Sequence, residues 1–293
     1  MRSSVFFKLM VATLIVAPVA SVLAWNTAGA DGGNMVVKLL FAATVLIEIA
    51  ALRQAFAARK VFSKSDTGYL TWSLTIAFLV IRLVAEARLL TLTFDLFNLP
   101  KNITAASPGA FFYVVWLRYL YTVSDVLFIG ALLTTVRAYQ STGLKFGLQG
   151  RDYIYIALVC AVPITTLAFR GNLGLAGLIN TDQYIATYRL VAVFSGGIIA
   201  SLCLVVRRYV AQMGGGAVGR VWNSVVVAGI ARDASFLVLA VVSKFWKPGS
   251  EFGEQYLLWI FASCWLLAAI CQQELLPRVP QASPEPAGSV AIG

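Results

Sequence analysis

One stretch of this chain, residues 69–92, is long enough to cross a lipid bilayer and yet contains three charged side chains. A crossing helix needs ~20 mostly apolar residues, and this stretch has them around Arg82, Glu86 and Arg88. Arg82 and Glu86 are four residues apart, so on a helix they share one face and can pair. A charge that faces lipid at this depth is costly. We therefore expect the shared face to turn toward other helices, whereas Arg88 lies close enough to the helix end to extend into the headgroups.

The composition assigns the chain to the membrane class. Of its 293 residues, 59% are hydrophobic and 12% are charged, and the apolar residues recur in long uninterrupted runs. We predict an all-α, polytopic transmembrane helical bundle formed by residues 31–276. Its seven helices are expected at 35–52, 69–92, 111–136, 153–169, 184–206, 221–243 and 254–273.

The two ends of the chain have different compositions from the bundle. Residues 1–30 carry Arg2 and Lys8 with an apolar run that Pro18 interrupts, followed by small residues. This pattern is typical of a cleavable signal peptide, but it also fits a first membrane helix, and the sequence leaves both readings open. Residues 277–293 are rich in proline and lack apolar periodicity, which predicts a disordered cytoplasmic tail.

Lysine and arginine are unevenly distributed between the loops. The positive-inside rule places the richer loops in the cytoplasm, so the C-terminal tail is expected inside and residues 25–34 outside, which is the topology of seven-helix receptors. The net charge of +10 then reflects orientation in the membrane, and we predict no nucleic-acid partner. The basic residues of the cytoplasmic side are Arg53, Arg59, Lys60, Lys64, Arg137, Lys145, Arg151, Arg207, Arg208, Arg220 and Arg278.

Two further features bear on chemistry and modification. The chain has no histidine, which excludes imidazole-ligated haem and histidine-based metal sites, and we predict neither a metal nor a cofactor. Its cysteines, at 160, 203, 264 and 271, all fall within apolar spans and are expected to be core residues. Asn102, in Asn102-Ile103-Thr104, forms a glycosylation sequon in a loop predicted to face outside.

Ionisable side chains recur inside several of the predicted helices. The cationic members are Arg82, Arg118, Arg189 and Arg232, and the anionic members are Glu48, Glu86, Asp125 and Asp233. Such residues either form structural ion pairs or line a polar cavity. In the second case we predict an outward-facing ligand pocket that includes Tyr121, one of several aromatic residues near Arg118. The predicted ligand-binding residues are Arg82, Glu86, Arg118, Tyr121, Asp125, Arg189, Arg232 and Asp233.

These observations support three functional hypotheses. The first is a receptor or sensor that binds a small ligand in the polar pocket. The second is an intramembrane enzyme acting on a lipid or isoprenoid, with Glu86, Asp125 or Asp233 as the proton donor. The third is a non-catalytic scaffold that requires a membrane protein partner. All three hypotheses place the protein in the lipid bilayer.

Overall fold

The computed structural model describes residues 3–93, 108–143, 147, 149–170, 183–212 and 216–275, with some side chains within these ranges not described. The described part is all-helical, which confirms the predicted fold class. Asn102 and the proposed tail at 277–293 lie outside the described residues. The helices are α1 (Ser3–Gly29), α2 (Asp31–Arg59), α3 (Thr67–Thr93), α4 (Pro108–Ser141), α5 (Gly150–Arg170), α6 (Gln183–Gln212), α7 (Gly216–Phe245) and α8 (Lys247–Leu275).

Six of the described helices contain a segment long and apolar enough to cross a membrane. These segments are Ser3–Gly29, Asp31–Arg59, Thr67–Ala87, Tyr119–Ser141, Phe194–Gln212 and Gly249–Leu275. Five of them coincide with spans predicted from the sequence, and the sixth is the N-terminal segment. The predicted spans at 153–169 and 221–243 are also helical, within α5 and α7. The protein therefore has the architecture of a multi-pass membrane protein.

A kink at Gly29 divides the helical run Ser3–Arg59 into α1 and α2. Gly29 has φ 61° and ψ −145°, a conformation that essentially only glycine adopts. The start of α1 and the end of α2 both contact the end of α8, because Ser3 bonds Glu274 and Gln54 accepts a hydrogen bond from Gln273. The two helices therefore run in opposite directions and form a hairpin.

Helix α8 is the most buried of the six spanning segments. It packs against α7 and the α1–α2 hairpin, while α2 packs on α3, α3 on α4, α4 on α6 and α6 on α7. These contacts close a ring of helices, and α5 packs against α6 and α7. We call the end of the bundle near Arg59, Arg208 and Arg220 the basic end, and the end near Gly29 the opposite end.

Helix α1 contacts α8, or Trp246 directly before it, at three levels. At the basic end the Ser3 amide donates to Glu274 Oε1 at 2.7 Å, and the Ser3 hydroxyl also bonds this carboxylate. Further along, Tyr256 Oη donates to the Leu14 carbonyl at 2.7 Å. At the opposite end the rings of Trp25 and Trp246 meet edge to face, with centroids 6.3 Å apart. The N-terminal segment thus packs as an additional helix of the bundle.

We predict that α1 remains part of the mature protein, because these contacts join it to α8 along its whole length. The chain carrying a C-terminal tag, purified from membranes, should have the intact mass of 31.6 kDa plus the tag, and should yield peptides from α1 on digestion. A mature N-terminus located after Ala24 or Ala30 would show that α1 is a cleaved signal peptide.

Candidate functional site

Arg82 of α3 forms the centre of a buried ion-pair network. Its Nε lies 2.6 Å from Glu48 Oε1 of α2, and its Nη2 lies 3.0 Å from Glu86 Oε1 of α3. The three residues are at most 1% exposed. The Arg82–Glu86 pair is the one expected from their i, i+4 spacing, and Glu48 adds a link between two helices. Glu48 Oε2 accepts no hydrogen bond from the residues that the structure describes.

Aromatic rings enclose the Arg82 guanidinium. Its central carbon lies 4.5 Å from the centroid of the Phe261 ring of α8 and 5.8 Å from that of Tyr121 of α4, at distances typical of cation–π contacts. Phe261 belongs to a cluster of rings with Phe78, Phe128 and Trp265, with centroids 5.1–6.3 Å apart. Arg82 therefore contacts α2, α4 and α8 as well as its own helix.

A second polar cluster joins α4, α6 and α7. Asp125 Oδ2 accepts a hydrogen bond from Ser195 Oγ at 2.8 Å and lies 3.7 Å from Arg232 Nη2. Asp233, the next residue along α7, is also buried, with 6% of its surface exposed. The buried carboxylates thus face the bundle interior, as the cost of exposing charge to lipid requires.

The two clusters occupy one layer of the bundle. At ~1.5 Å per residue, Arg82 lies ~22 Å from the start of α3, and Asp125 and Arg232 lie ~24 Å from the basic ends of their helices. Of the predicted ligand-binding residues, the structure brings Arg82, Glu86 and Tyr121 together, and likewise Asp125 and Arg232. The side chains of Arg118 and Arg189 lie outside the described part. Sequence reasoning missed Ser195 and Phe261, which carry no periodic or charge signal.

We predict that Arg82→Gln lowers the free energy of unfolding by roughly 3–5 kcal/mol, because it leaves two buried carboxylates without their cation. Denaturant-induced unfolding in detergent measures this change. The double variant Glu48→Gln/Arg82→Gln should lose less unfolding free energy than the sum of the losses in the two single variants, because it also removes the Glu48 charge that Arg82→Gln alone leaves unpaired.

Arg53→Gln provides a matched control, because Arg53 is an exposed arginine on α2. It should change the free energy of unfolding by at most ~1 kcal/mol. Wild-type stability in Arg82→Gln would contradict a structural role for this network.

A cavity of about 330 Å³ lies at the opposite end, between α1, α2 and the start of α8. Its wall includes Trp25, Trp246, Asn26, Asn34 and Phe252. Glycines make room for both indoles: a Cβ on Gly33 would collide with the Trp25 ring, and one on Gly249 would collide with the Trp246 ring. No sequence pattern marks this site, because its residues come from segments distant along the chain.

At the basic end, Asp152 in the first turn of α5 pairs with Arg208 of α6. The Asp152 carboxylate also accepts a hydrogen bond from the backbone N–H of Gln149 at 2.6 Å. Burial opposes ionisation of this carboxyl, but the Gln149 hydrogen bond and the Arg208 guanidinium outweigh it and lower the pKa of Asp152. The pair joins α5 to the main ring of helices.

We predict that this pair makes stability depend on pH. Because the folded-state pKa of Asp152 is lowered, its contribution is present above the ordinary carboxyl pKa of about 4 and is lost as pH falls through the folded value. The thermal unfolding midpoint should fall as pH is lowered from neutral to acidic values, and it should fall less steeply in Asp152→Asn than in the wild type. Asp31→Asn, which changes an exposed carboxylate near the opposite end, is the control. An unchanged slope in Asp152→Asn would contradict the prediction.

Compared with protein-family models, curated proteins and solved structures, the chain shows no significant match. The fold itself defines the class: the chain is a multi-pass helical membrane protein with a charge-paired interior. Any more specific function has to be inferred from its cavities and buried polar groups.

Proposed function

We propose that this protein is a receptor or sensor that binds a small ligand in the cavity between α1, α2 and α8. The observation that carries the proposal is the cavity itself, about 330 Å³ in volume and lined by residues that include two tryptophans and two asparagines. Ligand sites are typically concave, mostly apolar and supplied with a few polar groups, at volumes of about 300–1,000 Å³. The distribution of basic loop residues, which favours a cytoplasmic basic end, supports an outward-facing site.

The lining indicates the chemistry of the ligand. No Asp, Glu, Lys or Arg is among the described residues that form the wall, and charged ligands are normally matched by an opposite charge or by aligned dipoles. Trp25, Trp246 and Phe252 offer aromatic faces, whereas Asn26 and Asn34 offer hydrogen-bond donors and acceptors. We infer a neutral, flat molecule that carries at least one hydrogen-bonding group.

Helix α8 supports a sensing role, since it connects this cavity with the charged layer. Phe252 in the cavity wall stacks on Tyr256 at 5.7 Å, and Tyr256 stacks on Trp259 at 6.2 Å. Two residues further along α8, Phe261 lies against the Arg82 guanidinium. A ligand that shifts Phe252 would therefore act on a helix that also contacts the buried ion pairs, which gives a physical route for transmitting binding.

In this proposal the buried ion pairs hold the helices in position. Arg82 and Glu86 pair with each other, and Asp125 bonds Ser195 beside Arg232. None of these residues lines the cavity at the opposite end. Two other predictions concern these residues: that they contact the ligand directly, and that Glu86, Asp125 or Asp233 donates a proton. The geometry favours both of them less than it favours a ligand bound between the aromatic rings.

The test uses the purified full chain in nanodiscs and two neutral aromatic probes, indole-3-carboxamide and benzamide, with saturation-transfer NMR as the measurement. We expect at least one probe to bind. Asn26→Leu/Asn34→Leu should weaken its binding about tenfold or more, since removing each hydrogen bond costs ~1 kcal/mol and 1.4 kcal/mol is tenfold.

The matched control is Asn223→Leu, an exposed asparagine of α7 near the basic end. It should bind the probe as the wild type does. Equal loss in the control, or no binding of either probe to the wild type, would contradict this site.

A further inference from the structure

A separate cavity of about 210 Å³ lies at the basic end, between α5 and α6. Arg151 and Tyr155 contribute to it from α5, and Arg207 and Arg208 contribute from α6, with Asp152 between them. Its volume is below the ~300–1,000 Å³ that drug-sized ligands occupy. The cavity is therefore suited to a compact group.

The charges around this cavity do not balance. Three guanidinium groups line it, and Asp152 is the only carboxylate among the described lining residues. Asp152 pairs with Arg208, whereas Arg151 and Arg207 are exposed. The cavity wall thus carries an excess of positive charge that a bound anion would neutralise.

Two buried donors in this wall have no partner among the residues that the structure describes. Arg208 is 9% exposed, and its Nε makes no hydrogen bond. The hydroxyl of Tyr155 is also buried without a hydrogen-bond partner. A buried donor without an acceptor is costly and therefore uncommon, so a pair of them lining one cavity indicates a missing acceptor.

The position of this cavity along α5 and α6 indicates which kind of acceptor it binds. Arg151 lies two positions before the apolar stretch of α5, which begins at residue 153, and Arg207 follows the apolar stretch of α6. This places the cavity at the level where the hydrocarbon ends and phosphate groups lie. Guanidinium groups bind phosphate oxygens through paired, charge-assisted hydrogen bonds.

We propose that this cavity binds a phosphate group, which either a lipid headgroup or a free phosphate can supply. The Arg208 Nε and the Tyr155 hydroxyl donate to its oxygens from within the wall. Arg151 and Arg207 contact it from the exposed rim. The simpler reading, in which these arginines only orient the chain in the membrane, assigns no role to the Tyr155 hydroxyl.

The experiment measures the thermal unfolding midpoint of the full chain in a neutral detergent while probes are added at constant ionic strength. The probes are inorganic phosphate and dihexanoyl phosphatidic acid, with dihexanoylglycerol, which has the same chains and no phosphate, as the reference for chain and detergent effects. We expect phosphatidic acid to raise the midpoint more than dihexanoylglycerol does. A rise with phosphate as well shows that the phosphate group alone is recognised, and a rise with phosphatidic acid alone identifies a lipid ligand.

Tyr155→Phe separates binding from folding. Removing a buried hydroxyl that lacks a partner should leave the ligand-free midpoint unchanged or raised, while affinity for phosphatidic acid falls severalfold. Arg151→Gln/Arg207→Gln should weaken binding about tenfold or more, since each charge-assisted hydrogen bond is among the stronger contacts available.

The matched control is Lys60→Gln/Lys64→Gln, which removes two exposed charges at the same end but outside the cavity. It should keep wild-type affinity. Three outcomes would each overturn the proposal: a midpoint that neither inorganic phosphate nor phosphatidic acid raises beyond the value with dihexanoylglycerol, equal loss of affinity in the control, or full affinity in both Tyr155→Phe and Arg151→Gln/Arg207→Gln.

Discussion

The cost of burying charge in hydrocarbon constrains this bundle more than any other interaction. Arg82 is one of the largest side chains fully enclosed in the described part of the protein, and it is accommodated only because two carboxylates and aromatic rings surround it. Such a network contributes little net stability compared with well-packed apolar residues. It does, however, restrict how α2, α3, α4 and α8 fit together, since other arrangements would leave a charge unpaired.

The fold class and most of the helix positions could be predicted from the sequence, because hydropathy over ~20 residues is a strong signal. The Arg82–Glu86 pair was also predictable, since both residues lie on one helix face. The sequence predicts that Glu48 lies in the interior, but it does not predict its partner, because sequence spacing does not relate residues on different helices. Only the packing of α2 on α3 brings Glu48 to Arg82.

The cavities could not be predicted, and the reason is physical. The cavity at the opposite end depends on the turn at Gly29 and on α1 lying against α8, so its residues are brought together from both ends of the chain. Tryptophans near a membrane boundary are ordinarily read as interfacial anchors. Asp152 and Arg208 each resemble solvated residues flanking a span, and their contact appears only once α5 packs against α6.

The pairing of the first helix with the last has a consequence for biogenesis. Ser3 and its acceptor Glu274 are 271 positions apart, so the partner of α1 is synthesised long after α1 itself. Until then α1 lacks this neighbour, and the apolar face that it presents to α8 remains available to lipid or to the insertion machinery. The contact between α1 and α8 therefore forms only after α8 has entered the bilayer and aligned beside α1.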